Sequence, residues 1–193
     1  MDRQTKFIRA ALKGGATCIQ LREKDLNEED FLRESIEMAA LCKKYKVPFL
    51  INDNVEIAIK CHADGVHVGQ KDMEASQVRQ RVGKDMIIGV SAHSVEEALE
   101  AVKSGADYLG VGAVFSTSTK SDAEVLSRQV LRDICSAVDI PVVAIGGISK
   151  TNISQLSGTG VDGVALVSAI FAAENIEDEC CMLRRLSEEM VFQ

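Results

Sequence analysis

A short phrase recurs four times along the chain, as Gly14-Gly15-Ala16-Thr17, Ala63-Asp64-Gly65, Gly105-Ala106-Asp107 and Gly160-Val161-Asp162. Each copy is a helix-ending Gly or Ala, then a polar turn, then an apolar run. That is how a helix leads into a strand of a parallel sheet, and its repetition leaves few folds open. The pattern predicts strands over residues 18–21, 48–52, 65–68, 86–91, 108–111, 141–145 and 163–167, with amphipathic helices between them. The only two prolines, Pro48 and Pro141, stand at strand starts, where proline is tolerated. Asn27 is placed to cap a helix that carries Glu28, Glu29 and Asp30 in its first turn and Lys43 and Lys44 near its end. Ser94-Val95-Glu96-Glu97 reads as a capping box, and Gly105 closes the helix it opens.

Strands that are apolar on both faces imply a parallel sheet covered by helices. An open doubly wound sheet and a closed (β/α)8 barrel both satisfy that. Seven strands are visible rather than eight, and the chain opens on a helix around residues 5–12. No linker or low-complexity stretch divides the 193 residues, so a single domain is expected.

Composition removes several functions. The net charge is −7, the opposite of what a phosphate-tracking nucleic-acid binder needs. Aromatic residues make up 4% and Trp is absent, so base stacking is not expected. The six cysteines, Cys18, Cys42, Cys61, Cys135, Cys180 and Cys181, form no C-x-x-C pair and read as reduced, mostly buried residues of a cytoplasmic protein. No apolar run reaches the ~18 residues of a membrane span.

The chemistry gathers where the strands end. In order, the ends carry Gln20-Leu21-Arg22-Glu23-Lys24, Asn52-Asp53, Gly69-Gln70-Lys71-Asp72, Ser91-Ala92-His93, Ser116-Thr117-Ser118-Thr119-Lys120, Gly146-Gly147 and Val167-Ser168. The strand starts carry turn residues only. In a barrel or an open parallel sheet the C-terminal ends form one face, and that face holds the site. Asp53 and Asp72 offer a hard cation two carboxylates from neighbouring strand ends. Arg22, Lys24 and Lys120 bring cations to the same rim of an acidic protein, where they suit phosphate oxygens. Gly146-Gly147 allows close backbone approach to an anion. Taken singly, each element has a plainer explanation as a solvated charge, a helix cap or a turn. His67 lies inside a strand and reads as a satisfied core or rim residue, and no catalytic role falls to His62, His67 or His93. Gly110-Val111-Gly112 lacks the third glycine of a dinucleotide fingerprint.

This ordered set resembles the thiamine phosphate synthase family. The family's Q-L/F-R-x-K segment stands at Gln20 to Lys24, its N-D pair at Asn52-Asp53, and its G-Q-x-D at Gly69 to Asp72. Its V-S-A-H stretch stands at Val90 to His93, its T-x-T-K at Thr117 to Lys120, its G-G pair at Gly146-Gly147, and its V-S-A-I ending at Val167 to Ile170. A departure is Ala113-Val114-Phe115-Ser116, where members commonly carry prolines. The resemblance implies one (β/α)8 TIM-barrel domain over residues 1–193, short at its N-terminus and lacking the first strand. Seven strands would leave two parallel edges.

The resemblance further implies an Mg²⁺-dependent transferase in thiamine biosynthesis. It would join a hydroxymethylpyrimidine pyrophosphate to a thiazole phosphate and release pyrophosphate. The segment Gln20, Leu21, Arg22, Glu23 and Lys24, with Asn52, Ser91 and Lys120, would hold the pyrimidine pyrophosphate. Asp53 and Asp72 would hold Mg²⁺. Thr117, Ser118, Thr119, Gly147, Val167 and Ser168 would hold the thiazole phosphate. Arg22, Lys24 and Lys120 would carry the catalytic charge stabilisation. The partners are then small-molecule substrates, with no nucleic acid and no membrane, and a homo-oligomer is compatible with the pattern. The rivals are a thiazole tautomerase on the same fold, a silent barrel that only binds phosphorylated ligands, and a sugar-phosphate isomerase or aldolase.

Overall fold

A computed structural model of the protein describes residues 3–116 and 125–192. Helix α1 (Arg3–Lys13) leads to strand β1 (Ile19–Leu21), and helix α2 (Glu28–Tyr45) to β2 (Phe49–Asn52). Then come α3 (Val55–Lys60), β3 (Gly65–Val68), α4 (Ala75–Val82), β4 (Ile87–Ala92), α5 (Val95–Lys103) and β5 (Tyr108–Gly112). The chain continues through α6 (Arg128–Ala137), β6 (Val142–Ile145), a 3-10 turn (Ile153–Leu156), β7 (Gly163–Ala165), α7 (Ser168–Phe171) and α8 (Ile176–Val191). Every expected strand is present, with bounds shifted by a residue or two, and both prolines fall just before their strands.

All six strand pairs are parallel, and the sheet runs β1-β2-β3-β4-β5-β6-β7 in strict chain order. A doubly wound sheet would reverse direction at a switch point. This one does not, so the curled alternative is the observed one. Among the described residues β1 and β7 end the sheet unpaired with each other, and the architecture is a seven-stranded parallel α/β sheet rather than a closed eight-stranded barrel. The helices cross that gap. Ala11 of α1 packs with Ile176, Cys180 and Leu183 of α8 in a cluster of its own. The approach is close: a Cβ on Gly14 would lie 2.4 Å from the Glu177 carbonyl oxygen. The main core lies between the sheet and the other helices, with Phe49, Ile51, Ile88, Leu109, Leu131 and Ile134 almost wholly buried.

The recurring phrase at the strand starts has a specific structural use. The Asp64 carboxylate accepts the Phe49 N–H at 2.8 Å, Asp107 accepts that of Ile88 at 2.7 Å, and Asp162 that of Val142 at 2.8 Å. The backbone N–H of each of these aspartates returns a bond to the same residue's carbonyl, at 2.8, 2.7 and 2.8 Å. Three carboxylates thus clasp β2 to β3, β4 to β5 and β6 to β7 at their starts. Arg79 braces the middle clasp, donating to the Asp107 carboxylate at 2.6 Å and to the carbonyls of Gly83, Met86 and Gly105.

Helix capping follows the sequence in part. Asn27 accepts the Asp30 N–H at 3.0 Å, and Ser94 accepts that of Glu97 at 3.2 Å. The expected capping box does not close on Ser94, because the Glu97 carboxylate accepts the His93 N–H at 2.7 Å instead. All six cysteines are free; Cys42, Cys61 and Cys180 are buried, Cys135 is half-buried, and Cys18 and Cys181 are exposed. Among the described residues no helix is long and apolar enough to cross a membrane.

Candidate active site

Parallel strands in sequential order place the strand ends on one rim, and there Lys24, Asp53 and Asp72, from the segments after β1, β2 and β3, come together. Asp53 follows β2 directly and holds a left-handed backbone, φ 65°, which suits Asp better than a branched residue. Its N–H donates to the His67 carbonyl at 2.7 Å, which fixes it against the end of β3. Lys24, from the loop after β1, forms an ion pair with the Asp53 carboxylate. Asp72, after β3, accepts the Gly69 N–H at 2.8 Å and shares a hydrogen bond with Asp53.

The two carboxyls are driven apart electrically. Burial raises Asp53, but the hydrogen bonds from Lys24 and Asp72 and the charges of Lys24 and Arg22 hold it below the usual carboxylate range. Asp72 is raised by desolvation and then by the hydrogen bond and charge of Asp53, against the opposing pull of the Gly69 N–H. Two neighbouring carboxyls that cannot both ionise freely, beside cations, form an oxygen-donor pair that a hard dication would relieve. Among the described residues no cluster of three or more His, Cys, Asp or Glu side chains could hold a metal, so a cation here would take these two carboxylates and fill its remaining positions from water and substrate.

The remaining residues of the first strand end fall into three groups. Arg22 is exposed and close enough to act electrostatically on Asp53. Leu21 is buried in the core at 7% exposure, so only its backbone can face a ligand. Glu23 turns back on its own loop, one carboxylate oxygen accepting the N–H groups of Lys24 and Asp25 at 2.7 Å and of Leu26 at 3.3 Å. Its carboxyl is held low first by the Asp25 bond. It shapes the loop that presents Arg22 and Lys24. A groove of about 490 Å³ opens beside Lys24, Asn52 and Asp53.

On the other side of the rim, Gly146 and Gly147 both have positive φ, 99° and 66°. A Cβ on Gly147 would lie 2.3 Å from the Ser116 carbonyl oxygen, so the loop after β6 lies directly against the loop after β5. Asn152 locks this turn, donating to the Gly147 carbonyl and accepting the Ser149 N–H, both at 2.8 Å. Val167 and Ser168 are exposed at the start of α7, and Ser168 lines a second groove of about 440 Å³ that Lys150 also borders. Thr117, Ser118, Thr119 and Lys120 lie outside the described residues.

Inside the sheet the structure adds residues that the sequence left without a role. His67 on β3 is 2.8 Å from the Tyr108 hydroxyl through Nδ1 and 3.0 Å from the Ser91 hydroxyl through Nε2. Burial pushes the Tyr108 hydroxyl well above the usual phenol range, against a smaller opposing effect of Gln20. Gln70 donates to the Ser91 carbonyl at 2.6 Å. Glycines within strands make the room: a Cβ on Gly89 would lie 2.2 Å from the Tyr108 ring, and one on Gly110 2.9 Å from the His67 ring. Glycines inside otherwise β-branched runs were the available signal, since they mark close approach by a neighbour.

Comparisons with known proteins place the chain in a family. The sequence matches the family described as thiamine monophosphate synthase over residues 1–170. It is 49% identical to a thiamine-phosphate synthase of Clostridium acetobutylicum over 174 residues, 90% of this chain and 82% of that one. It is 51% identical to a thiamine-phosphate synthase of Ruminiclostridium cellulolyticum over 170 residues, 88% of this chain and 81% of that one. A solved structure of thiamine phosphate pyrophosphorylase from Pyrococcus furiosus superposes with a TM-score of 0.91 at 41% identity, covering 98% of this chain and 94% of that one.

Proposed function

The chain belongs to the thiamine monophosphate synthase family, and from that premise we propose how its rim works. The reaction is that of a transferase: 4-amino-2-methyl-5-(diphosphooxymethyl)pyrimidine and thiazole phosphate give thiamine phosphate and pyrophosphate. The observation that carries the site assignment is the contiguous set of Lys24, Asp53 and Asp72 at the ends of three strands, with Arg22 beside them.

Asp53 and Asp72 would hold Mg²⁺, as two hard oxygen donors whose mutual repulsion a dication relieves. Bound there, the ion supplies charge neutralisation for a departing diphosphate. The chain's own groups do the rest. Lys24 neutralises Asp53 before ligand arrives and, with Arg22 and Lys120, receives the negative charge that grows on the leaving group. Asn52, Ser91 and Gln20 orient the pyrimidine half, and the backbone after β6 and at Val167-Ser168 orients the thiazole phosphate. The displacement is dissociative: the bond from the pyrimidine methylene carbon to diphosphate breaks first, and the thiazole nitrogen then bonds that carbon. No protein nucleophile takes part. We read the open sheet as a (β/α)8 barrel whose eighth strand position falls between β1 and β7, where α1 packs on α8. The free thiols suit the cytoplasm. A tautomerase or a silent barrel would not need the carboxylate pair, and the relatives compared carry the synthase name.

Thiamine phosphate formation from the two purified substrates tests the reading. Product is expected with Mg²⁺ and is lost on chelation. Product undiminished by chelator overturns the metal assignment, and binding of both substrates without turnover overturns the reaction.

A further inference from the structure

The loop after β6 carries two glycines whose carbonyls are both turned aside. The Gly146 carbonyl accepts the Phe115 N–H at 3.0 Å, and the Gly147 carbonyl accepts the Asn152 side-chain amide at 2.8 Å. In a trans peptide the N–H points opposite to the C=O. The N–H of Gly147 therefore faces away from the loop after β5, on the side where β7 stands. The N–H of Ile148 faces away from Asn152. Two consecutive N–H groups left pointing outward form a small electropositive cradle beyond the end of β6.

Glycine alone does not fix that arrangement. The positive φ of both residues needs the freedom that a missing Cβ gives. The same freedom lets the Gly147–Ile148 peptide turn over, which would put a carbonyl oxygen where the N–H stands. Asn152 decides between the two. It occupies the position before the 3-10 turn, where Asn ordinarily caps the turn's own N–H groups, and it makes no such bond. Its side chain reaches back instead: Nδ2 donates to the Gly147 carbonyl and Oδ1 accepts the Ser149 N–H, both at 2.8 Å. Ile148 and Ile153 are buried in the core, so the segment that carries Asn152 is anchored on both sides of it.

We propose that Asn152 is a positioning residue that sets the polarity of this turn, and that through it the site tells a phosphorylated thiazole from the free alcohol. The proposal rests on the thiazole phosphate assignment made above. With the Gly147 carbonyl held, the Ile148 N–H is offered to a phosphate oxygen in a charge-assisted bond. With the peptide turned over, the carbonyl would repel that oxygen. A free alcohol carries no charge and can donate or accept, so it gains little from either orientation. Asn152 acts through the peptide rather than by touching a substrate.

Asn152→Ala removes the donor. Its KM for thiazole phosphate should rise roughly tenfold, with kcat and the KM for the pyrimidine diphosphate within about twofold of the wild type. Its kcat/KM with the unphosphorylated thiazole alcohol should also stay within about twofold, so the preference for phosphate shrinks by roughly the same tenfold. A parallel loss with both thiazoles, or an equal rise in the KM for the pyrimidine diphosphate, makes Asn152 a purely structural residue and overturns the proposal. Asn152→Asp keeps an acceptor for the Ser149 N–H and has no donor for Gly147, so it should bind thiazole phosphate no better than Asn152→Ala. A wild-type KM in that variant overturns the proposal as well. The backbone amide signals of the wild-type protein give a measure that needs no turnover. On titration with inorganic phosphate the Ile148 amide proton should move downfield, and an Ile148 signal unmoved by phosphate overturns the cradle. If no thiamine phosphate forms at all, the reaction assignment fails, whereas this titration still judges the turn by itself.

Discussion

Aspartates occupy both rims of this sheet, and they are used in opposite ways. At the strand starts, Asp64, Asp107 and Asp162 each accept a backbone N–H from the preceding strand at 2.7–2.8 Å, and each carboxylate has a defined structural partner. At the strand ends, Asp53 and Asp72 face each other, one depressed and one raised, with Lys24 as counter-ion. The first set is satisfied by the fold. The second is satisfied only in part, and the repulsion that remains is what a dication would remove. A carboxylate placed before a strand finds the N–H groups that its neighbour leaves unpaired. A carboxylate placed after a strand meets other side chains and solvent. The direction of the chain, rather than the residue type, separates stability from chemistry.

The sharpest way to break this contrast is to neutralise one member of each set. Asp53→Asn preserves size and tolerates the left-handed backbone, since Asn also favours it. Its kcat should fall on the order of 10²–10³-fold, as for loss of a preorganised charge stabiliser, while its melting temperature at neutral pH falls only slightly, because the ion pair it gives up with Lys24 is partly exposed. A variant that keeps a tenth of the activity would remove Asp53 from the site. The mirror experiment is Asp107→Ala, which strips Ile88 of its acceptor and frees one arm of Arg79. It should cost about 2 kcal/mol, a fall in melting temperature of roughly 4–8 °C for a chain of this size, with kcat within about twofold. Loss of activity without loss of stability there would mean that the strand starts reach the chemistry after all.

Much of this division was legible in the sequence. The parallel sheet, its seven strands, the Asn27 cap and the clustering of polar residues at strand ends all follow from local pattern, because each needs only the residues of one segment. What was not legible depends on register between segments. The three aspartates of the recurring phrase look like ordinary turn residues until the pairings Leu50↔Gly65, Gly89↔Tyr108 and Val143↔Gly163 set each beside the preceding strand. His67 reads as a plain core histidine until Gly89 and Gly110 are seen to admit Tyr108 and its own ring. Leu21 and Glu23 read as ligand contacts because they sit inside a motif, yet one side chain is core and the other binds its own loop. Motif membership does not report which way a side chain points.

The finest test of the contrast lies in the pH dependence of Asp72→Asn. A carboxyl whose folded pKa is raised above its unfolded value of 3.8 binds its proton more tightly when folded. It contributes no cost below that value, and the cost grows as pH rises through the raised folded pKa. Asp53, depressed in the folded state, has the reverse sign: its stabilisation is present above 3.8 and is lost as pH falls through the lowered value. Replacing Asp72 should therefore raise the melting temperature of the metal-free protein at neutral pH, and the gain should vanish in acid. Asp72 is mostly exposed, so solvent screening keeps the gain to roughly 1–2 °C. Asn retains an acceptor for the Gly69 N–H, so the clasp on that loop survives. Adding Mg²⁺ should then stabilise the wild type more than the variant, because a ligand stabilises only the form that binds it. Equal responses to magnesium would place the ion elsewhere, and a variant destabilised at every pH would make Asp72 a structural carboxylate of the same kind as Asp64.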